Sequence, residues 1–321
     1  MKNKYLTFTP KKIVYLVLFL AVPIFLLTFF IQLQKLPLPN QTLNPTVKAL
    51  IADSALAAPA LLPIKTEVNP FTTLSKAVYV VDVNSMSVLY GQNQDTTLPM
   101  ASIAKMMTAL LAIEHYSPND WLTVDGVKTD GSNIGLISGE QYQMQDLLGA
   151  LLVGSANDAA EVLASNFTDG LTGFVWGMNQ KALELGMKNT HFVNPIGFDH
   201  PDQYSTARDL TILAIEVMKH PLLAAYVSQK EFSLTDSTNA KTLKIKSTNE
   251  LLSLDSSVLG IKTGWTEEAG ECLIVYANRD NHPIISVILG SSNRFEESET
   301  LINWIYQTYQ WKSVTNLRSR V

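Results

Sequence analysis

Residues 99–109 read Pro99-Met100-Ala101-Ser102-Ile103-Ala104-Lys105-Met106-Met107-Thr108-Ala109. From there, apolar residues recur at positions 103, 106, 107, 110, 111 and 113, which predicts an α-helix over residues 102–115. Ser102 and Lys105 are three residues apart, so their side chains share one face of that helix. A serine at a helix start is exposed, and the helix dipole there favours developing negative charge. The segment therefore predicts a serine nucleophile with a lysine near enough to take its proton.

A second segment, Lys262-Thr263-Gly264, occurs once and ends a predicted strand just before Trp265. A lysine base must be neutral, and a nearby cation lowers the pKa of an amine, so Lys262 is the candidate partner of Lys105. Glycine at a strand edge allows a peptide to lie alongside as an added strand. Lys262 and Thr263 can then bind a terminal carboxylate. The backbone N–H groups of Ser102 and Trp265 are the expected oxyanion-hole pair.

The third segment, Ser155-Ala156-Asn157, interrupts two predicted helices over residues 145–152 and 158–167. In an extended break, side chains at i and i+2 point the same way. Ser155 could then relay protons while the Asn157 amide holds a substrate carbonyl. The Ser-x-Asn pattern recurs at three other places in the chain, and a simple helix cap is the alternative reading.

The remaining pattern predicts an α/β (α+β) fold. A β-branched run at residues 77–83 and a return strand at 87–91 form a predicted hairpin. Later segments predict helices at 174–185, 206–219 and 295–309, and strands at 231–234, 242–247, 258–262, 272–277 and 283–289. Strands near both ends with helices between them predict one mostly antiparallel sheet flanked by helices, plus a helical lobe.

Composition excludes several other classes of function. The 321 residues are 46% hydrophobic and 17% charged, with a net charge of −5 and no basic block, so we predict no nucleic-acid partner. The single cysteine, Cys272, rules out an internal disulfide and lies in an apolar run typical of a buried thiol. The five histidines show no paired ligand spacing and no glycine-rich phosphate loop is present, so we predict neither metal nor cofactor.

The N-terminal region predicts a membrane anchor. Residues 13–34 carry no charge and would span about 33 Å as a helix, enough to cross a bilayer. The lysines among residues 1–12 favour a cytoplasmic N-terminus, which places the rest of the chain outside the cytoplasmic membrane. A cleaved signal peptide is the alternative, although its apolar region would be shorter. We expect a proline-containing linker over residues 35–72 and a catalytic domain over 73–321.

The order Ser-x-x-Lys, Ser-x-Asn, Lys-Thr-Gly resembles that of the penicillin-recognising serine enzymes. The surroundings of the three motifs, with residues 194–197 and 204–210, resemble the D-alanyl-D-alanine carboxypeptidases, which are low-molecular-mass penicillin-binding proteins. This resemblance implies a β-lactamase/transpeptidase-like fold with a five-stranded sheet, and peptidoglycan stem peptides as substrates. It implies that β-lactam antibiotics are covalent inhibitors.

The same resemblance assigns residue roles. Ser102 becomes the acylated nucleophile, Lys105 its base, and Ser155 and Asn157 the rest of the catalytic centre. The substrate would be bound by Lys262, Thr263, Gly264 and Trp265. Trp265 departs from the family pattern, in which a smaller or more polar residue is expected.

Three other functions remain open at this point. An endopeptidase that cuts peptidoglycan cross-links would use the same residues with a different substrate pose. A β-lactamase on this fold is less favoured, because no glutamate between the second and third motifs can be assigned to deacylation. A non-catalytic cell-wall or penicillin sensor would need to have lost activity despite three intact motifs.

Overall fold

Five strands form the central sheet of this protein. The computed structural model describes residues 61–66, 70–127 and 129–313, all within the unit Pro59–Val321. The sheet strands are β2 (Ala77–Asp82), β3 (Val88–Gln92), β8 (Val258–Thr266), β9 (Gly270–Arg279) and β10 (His282–Ser291). Their order is β3-β2-β10-β9-β8, and every neighbouring pair is antiparallel. The predicted five-stranded antiparallel sheet is confirmed, and β8, which carries Lys262, forms one edge.

Helices cover both faces of this sheet. They are α1 (Lys105–His115), α2 (Met144–Val153), α3 (Asn157–Ser165), α4 (Gly170–Glu184), α5 (Ala207–Lys219), α6 (Pro221–Val227), α7 (Leu251–Leu254) and α8 (Arg294–Thr308). Alternation along β2 explains the two layers: Tyr79 and Val81 pack into the core with α1 to α5, whereas Val78 and Val80 pack towards α8. A strand buried on both faces reads as a continuous apolar run, as β2 does.

Three two-stranded sheets complete the described chain. They pair β1 (Leu61–Lys65) with β11 (Tyr309–Ser313), β4 (Trp121–Thr123) with β5 (Gln141–Gln143), and β6 (Glu231–Thr235) with β7 (Thr242–Lys246). β1 falls inside the predicted linker 35–72, so regular pairing begins before residue 73. The short strands β4 and β5 and the helix α6 have no counterpart in the sequence-based expectations.

The nucleophile segment differs from its prediction in one respect. Ser102 lies in a 3₁₀ turn, Ala101–Ala104, and the α-helix begins only at Lys105. The tighter turn keeps residues i and i+3 on one side, so the predicted proximity of Ser102 and Lys105 survives the change of helix type.

The predicted anchor, residues 13–34, lies outside the described residues. Within the described part, no single helix is long and apolar enough to cross a bilayer; one bent pair, Ala207–Lys219 with Pro221–Val227, reaches that length and hydropathy only jointly.

Candidate active site

Ser102 and Lys105 are in direct contact. Lys105 Nζ lies 2.8 Å from Ser102 Oγ and donates a hydrogen bond to the Ile196 carbonyl oxygen at 2.7 Å. The lysine side chain is fully buried beneath the turn. Burial, and then the charge of Lys262, hold the pKa of Lys105 well below its usual value. A buried amine of this kind can be neutral at physiological pH and can take a proton from the adjacent hydroxyl.

Lys262 is the second buried amine of the site. Its Nζ donates to Ser155 Oγ at 2.8 Å and to the Thr263 carbonyl oxygen at 3.0 Å. Burial and the neighbouring Arg294 lower the pKa of Lys262 to about 7. Lys262 therefore lowers the pKa of Lys105, as the sequence predicts. Burial of Lys105 lowers that pKa more than Lys262 does.

Ser155 and Asn157 stand at the break between α2 and α3, as the sequence predicts, but the break is not extended throughout. Ser155 has φ 59°, in the left-handed region, and Asn157 is the first residue of α3. Ser155 is not a side-chain cap, because the N-cap position belongs to Ala156. Its hydroxyl instead contacts the Lys262 amine, whereas Asn157 Nδ2 donates to the Asp130 carbonyl oxygen at 2.6 Å.

Close backbone approaches hold the nucleophile turn in place. Ala101 has φ 49°, a left-handed conformation that residues other than glycine, asparagine and aspartate rarely adopt. A Cβ on Gly197 would lie 1.9 Å from the Ala101 carbonyl oxygen, and Gly197 itself has φ 98°. A Cβ on Gly264 would lie 3.1 Å from Ser102 N. The absence of a side chain at Gly264 therefore allows β8 to pack against the nucleophile turn; its predicted role in substrate binding stays a prediction.

A cleft of about 340 Å³ opens onto Ser102. Its lining includes three of the predicted site residues, Ser102, Asn157 and Trp265; Ser155 and Lys262 lie buried and linked by a hydrogen bond. The full lining is Ser102, Gly131, Ser132, Asn157, Gly197, Phe198, Trp265, Thr266 and Glu267. Thr263 Oγ1 lies 2.6 Å from Thr248 Oγ1. Because β8 is an edge strand, a peptide could pair with its free side.

Sequence reasoning missed several supporting groups. Arg294 begins α8 and donates from Nη1 to the Gly264 carbonyl oxygen at 2.9 Å. Asp158 accepts backbone N–H bonds from Ile134, Gly135 and Leu136, which fixes a loop on the cleft. Asp158 directly follows the Ser-x-Asn motif, and that adjacency was an available signal. Arg294 belongs to none of the three motifs, so no sequence pattern indicated that it supports the site.

The arrangement is that of a class of serine hydrolases in which a buried lysine amine, and not a histidine, contacts the serine hydroxyl. The family model described as D-alanyl-D-alanine carboxypeptidase matches residues 64–293. This chain belongs to that family, peptidase family S11, whose members are serine hydrolases among the low-molecular-mass penicillin-binding proteins.

Relatives within the family carry different names. A D-alanyl-D-alanine endopeptidase of Pseudomonas aeruginosa is 34% identical over 82% of this chain and 86% of its own length. The D-alanyl-D-alanine carboxypeptidase DacF of Bacillus subtilis is 33% identical over 70% of this chain and 59% of its own length. The crystal structure of the Streptomyces K15 DD-transpeptidase is similar with a TM-score of 0.71 at 28% identity, covering 75% of this chain and all of that one.

Proposed function

We propose that this protein is a serine-type D-Ala-D-Ala carboxypeptidase that trims peptidoglycan stem peptides through an acyl-enzyme on Ser102. The observation that carries the proposal is the 2.8 Å contact between Ser102 Oγ and a buried lysine amine of lowered pKa. Two neighbouring features support it: a second buried amine at Lys262, and an open strand edge beside the nucleophile.

In the proposed reaction, the neutral Lys105 amine takes the Ser102 proton as Oγ attacks the carbonyl carbon between the two D-alanines. The backbone N–H groups of Ser102 and Trp265 stabilise the resulting oxyanion. The C–N bond then breaks, and the departing amine receives the proton that Lys105 took, relayed through the Ser155 hydroxyl that Lys262 holds. Water cleaves the ester, which restores Ser102 and releases the shortened peptide.

Substrate binding in this proposal depends on the terminal carboxylate. Lys262 and Thr263 hold it through charge-assisted hydrogen bonds, and Asn157 binds a carbonyl of the peptide. β-Lactams present a carboxylate and a reactive carbonyl to the same groups, so we propose that they acylate Ser102.

The test is D-alanine release from diacetyl-Lys-D-Ala-D-Ala by the purified chain, together with covalent labelling by a fluorescent penicillin. Ser102→Ala is expected to abolish both signals while the protein stays folded by circular dichroism. Covalent labelling of the Ser102→Ala protein would refute the assignment of the nucleophile.

An endopeptidase is the second candidate function, because the Pseudomonas aeruginosa relative bears that name. It uses the same nucleophile and base, and differs in having a second peptide as the leaving group. Digestion of purified cross-linked and uncross-linked muropeptides, with the products weighed by mass spectrometry, separates the two. Cleavage of dimers without shortening of monomers would replace the carboxypeptidase proposal by the endopeptidase one.

We further propose that residues 13–34 anchor the protein in the cytoplasmic membrane, with the catalytic domain on its outer side. The uncharged length of that segment and the lysines before it support this topology. Carbonate-washed membranes should retain the full chain, and protease added outside spheroplasts should digest the domain. Recovery of a soluble, shortened protein would favour a cleaved signal peptide.

A further inference from the structure

The mouth of the Ser102 cleft combines aromatic side chains with a carboxylate. Trp265 is 60% exposed and Phe198 is 38% exposed, although both are large apolar residues. Glu267 lines the same cleft and is exposed. Among the described residues, no hydrogen bond or ion pair engages its carboxylate. The lining includes no lysine or arginine, so the only formal charge on it is negative.

Trp265 lies near the end of β8 and Glu267 directly after it, and this position indicates which part of a substrate they contact. In the proposed function, on which this inference rests, the terminal carboxylate lies at Lys262 and Thr263. Gly264 lies against the nucleophile turn, so the scissile bond is placed next to it. Trp265 and Glu267 continue along the chain in the opposite direction from the carboxylate. They therefore flank the residues that precede the two D-alanines.

Both side chains are available to the same substrate group. Trp265 is the second-to-last residue of β8, Glu267 begins the turn that follows this strand, and both line the same cleft. The adjacent acidic residue Asp199 is already engaged, because it accepts a hydrogen bond from Thr266 Oγ1 at 2.6 Å. Glu268 follows Glu267 but does not line the cleft. The free carboxylate at the cleft is that of Glu267.

We propose that Trp265 and Glu267 form a specificity subsite for an ammonium group on the side chain of the residue that precedes the D-Ala-D-Ala pair. The face of an indole ring attracts a cation, and a carboxylate beside it adds a charge-assisted partner. The subsite selects stem peptides whose diamino acid has a free side-chain amine over those in which that amine is acylated.

The experiment compares two peptides with the full-length chain in detergent. They are Nα-acetyl-Lys-D-Ala-D-Ala, with a free side-chain amine, and its Nα,Nε-diacetyl form. The measurement is kcat/KM for D-alanine release at low ionic strength. For the unmodified protein we expect a preference of about fivefold for the free amine, since both contacts are partly exposed to solvent. Glu267→Gln and Trp265→Leu should each bring this ratio close to one.

Glu268→Gln is the matched control, since it removes the neighbouring carboxylate outside the cleft and should keep the fivefold ratio. Added salt should lower the ratio of the unmodified protein, because exposed charges are screened. Equal rates on the two peptides, a preference for the diacetyl peptide, or a ratio unchanged in both cleft variants would overturn the subsite. If neither peptide releases D-alanine, the carboxypeptidase proposal itself fails, and this inference fails with it.

Discussion

At the scale of single residues, two buried lysines differ in their surroundings, and the proposed mechanism gives them different roles. Lys105 touches the nucleophile and has a pKa well below the usual value, so it suits the role of a neutral base. Lys262 has a pKa of about 7 and contacts Ser155, so it changes charge within the physiological range. The pH dependence of substrate capture should therefore report mainly on Lys262.

The charge of Lys262 should control how D-alanine release depends on pH. Lys262 is cationic below pH about 7 and neutral above it, so its attraction for the substrate carboxylate is lost as the pH rises. We expect kcat/KM for D-alanine release to fall above pH 7, with a limiting slope of about one decade per pH unit. In Lys262→Arg the cation persists, so the profile of that variant, normalised to pH 6, should lack this decline. A flat profile for the unmodified protein between pH 6 and 9 would contradict the assignment.

At the scale of elements, the nucleophile turn depends on neighbours that approach it closely. Gly197→Ala would force a Cβ to within 1.9 Å of the Ala101 carbonyl oxygen. We expect a loss of about 2–4 kcal/mol in the free energy of unfolding, and slower penicillin labelling of the protein that folds. Denaturant unfolding and labelling kinetics measure the two effects.

Gly135→Ala is the control for that change. Gly135 also has a positive φ, 81°, but its Cβ would meet nothing within 4 Å. It therefore shares the backbone strain without the steric clash. Equal losses of unfolding free energy in the two variants would show that the close approach of Gly197 to Ala101 does not contribute to the effect of Gly197→Ala.

The loop over residues 129–137 is a second element that shapes the site. It supplies Gly131 and Ser132 to the cleft, and Asp158 holds it through three backbone N–H groups at 2.9–3.1 Å. Asp158→Asn removes the charge and turns one acceptor into a donor facing those N–H groups. We expect KM to rise about tenfold, with a smaller change in kcat. The exposed Asp125→Asn is the control; an unchanged KM in Asp158→Asn would refute the role of the loop.

At the scale of the whole molecule, the β1–β11 pair joins the two ends of the described chain. Trp311 on β11 stacks on His282 with ring centroids 4.5 Å apart, and its Nε1 donates to Asp82 Oδ2 at 2.8 Å. We expect Trp311→Ala to lower the free energy of unfolding by about 2–3 kcal/mol. Trp176→Ala, which removes a tryptophan that is 66% exposed, should change it by less than about 0.5 kcal/mol. Equal losses of unfolding free energy in the two variants, measured by chemical denaturation, would show that the contacts of Trp311 with His282 and Asp82 do not stabilise the fold.

Local features of the fold were predictable, and long-range ones were not. The periodicity around Leu110 and Leu147 gave helices whose bounds differ by a few residues from those observed. The Ser102–Lys105 contact followed from a spacing of three residues. In contrast, the bond from Lys105 to the Ile196 carbonyl oxygen, and that from Arg294 to Gly264, depend on how distant segments pack. β1 was missed because its few residues lie among prolines and find their partner at the far end of the chain.

The pairing of Leu61 with Ser313 has a consequence for engineering this fold. Paired residues on antiparallel strands lie about 5 Å apart, so a linker of a few glycines would connect the two ends without stretching. A circular permutant could then start within the turn between β6 and β7, around Thr238, in a hairpin separate from the central sheet. Such a permutant would keep the contacts among the three motifs. The ribosome would synthesise its Lys262-Thr263-Gly264 first, whereas in the present chain this motif is synthesised last.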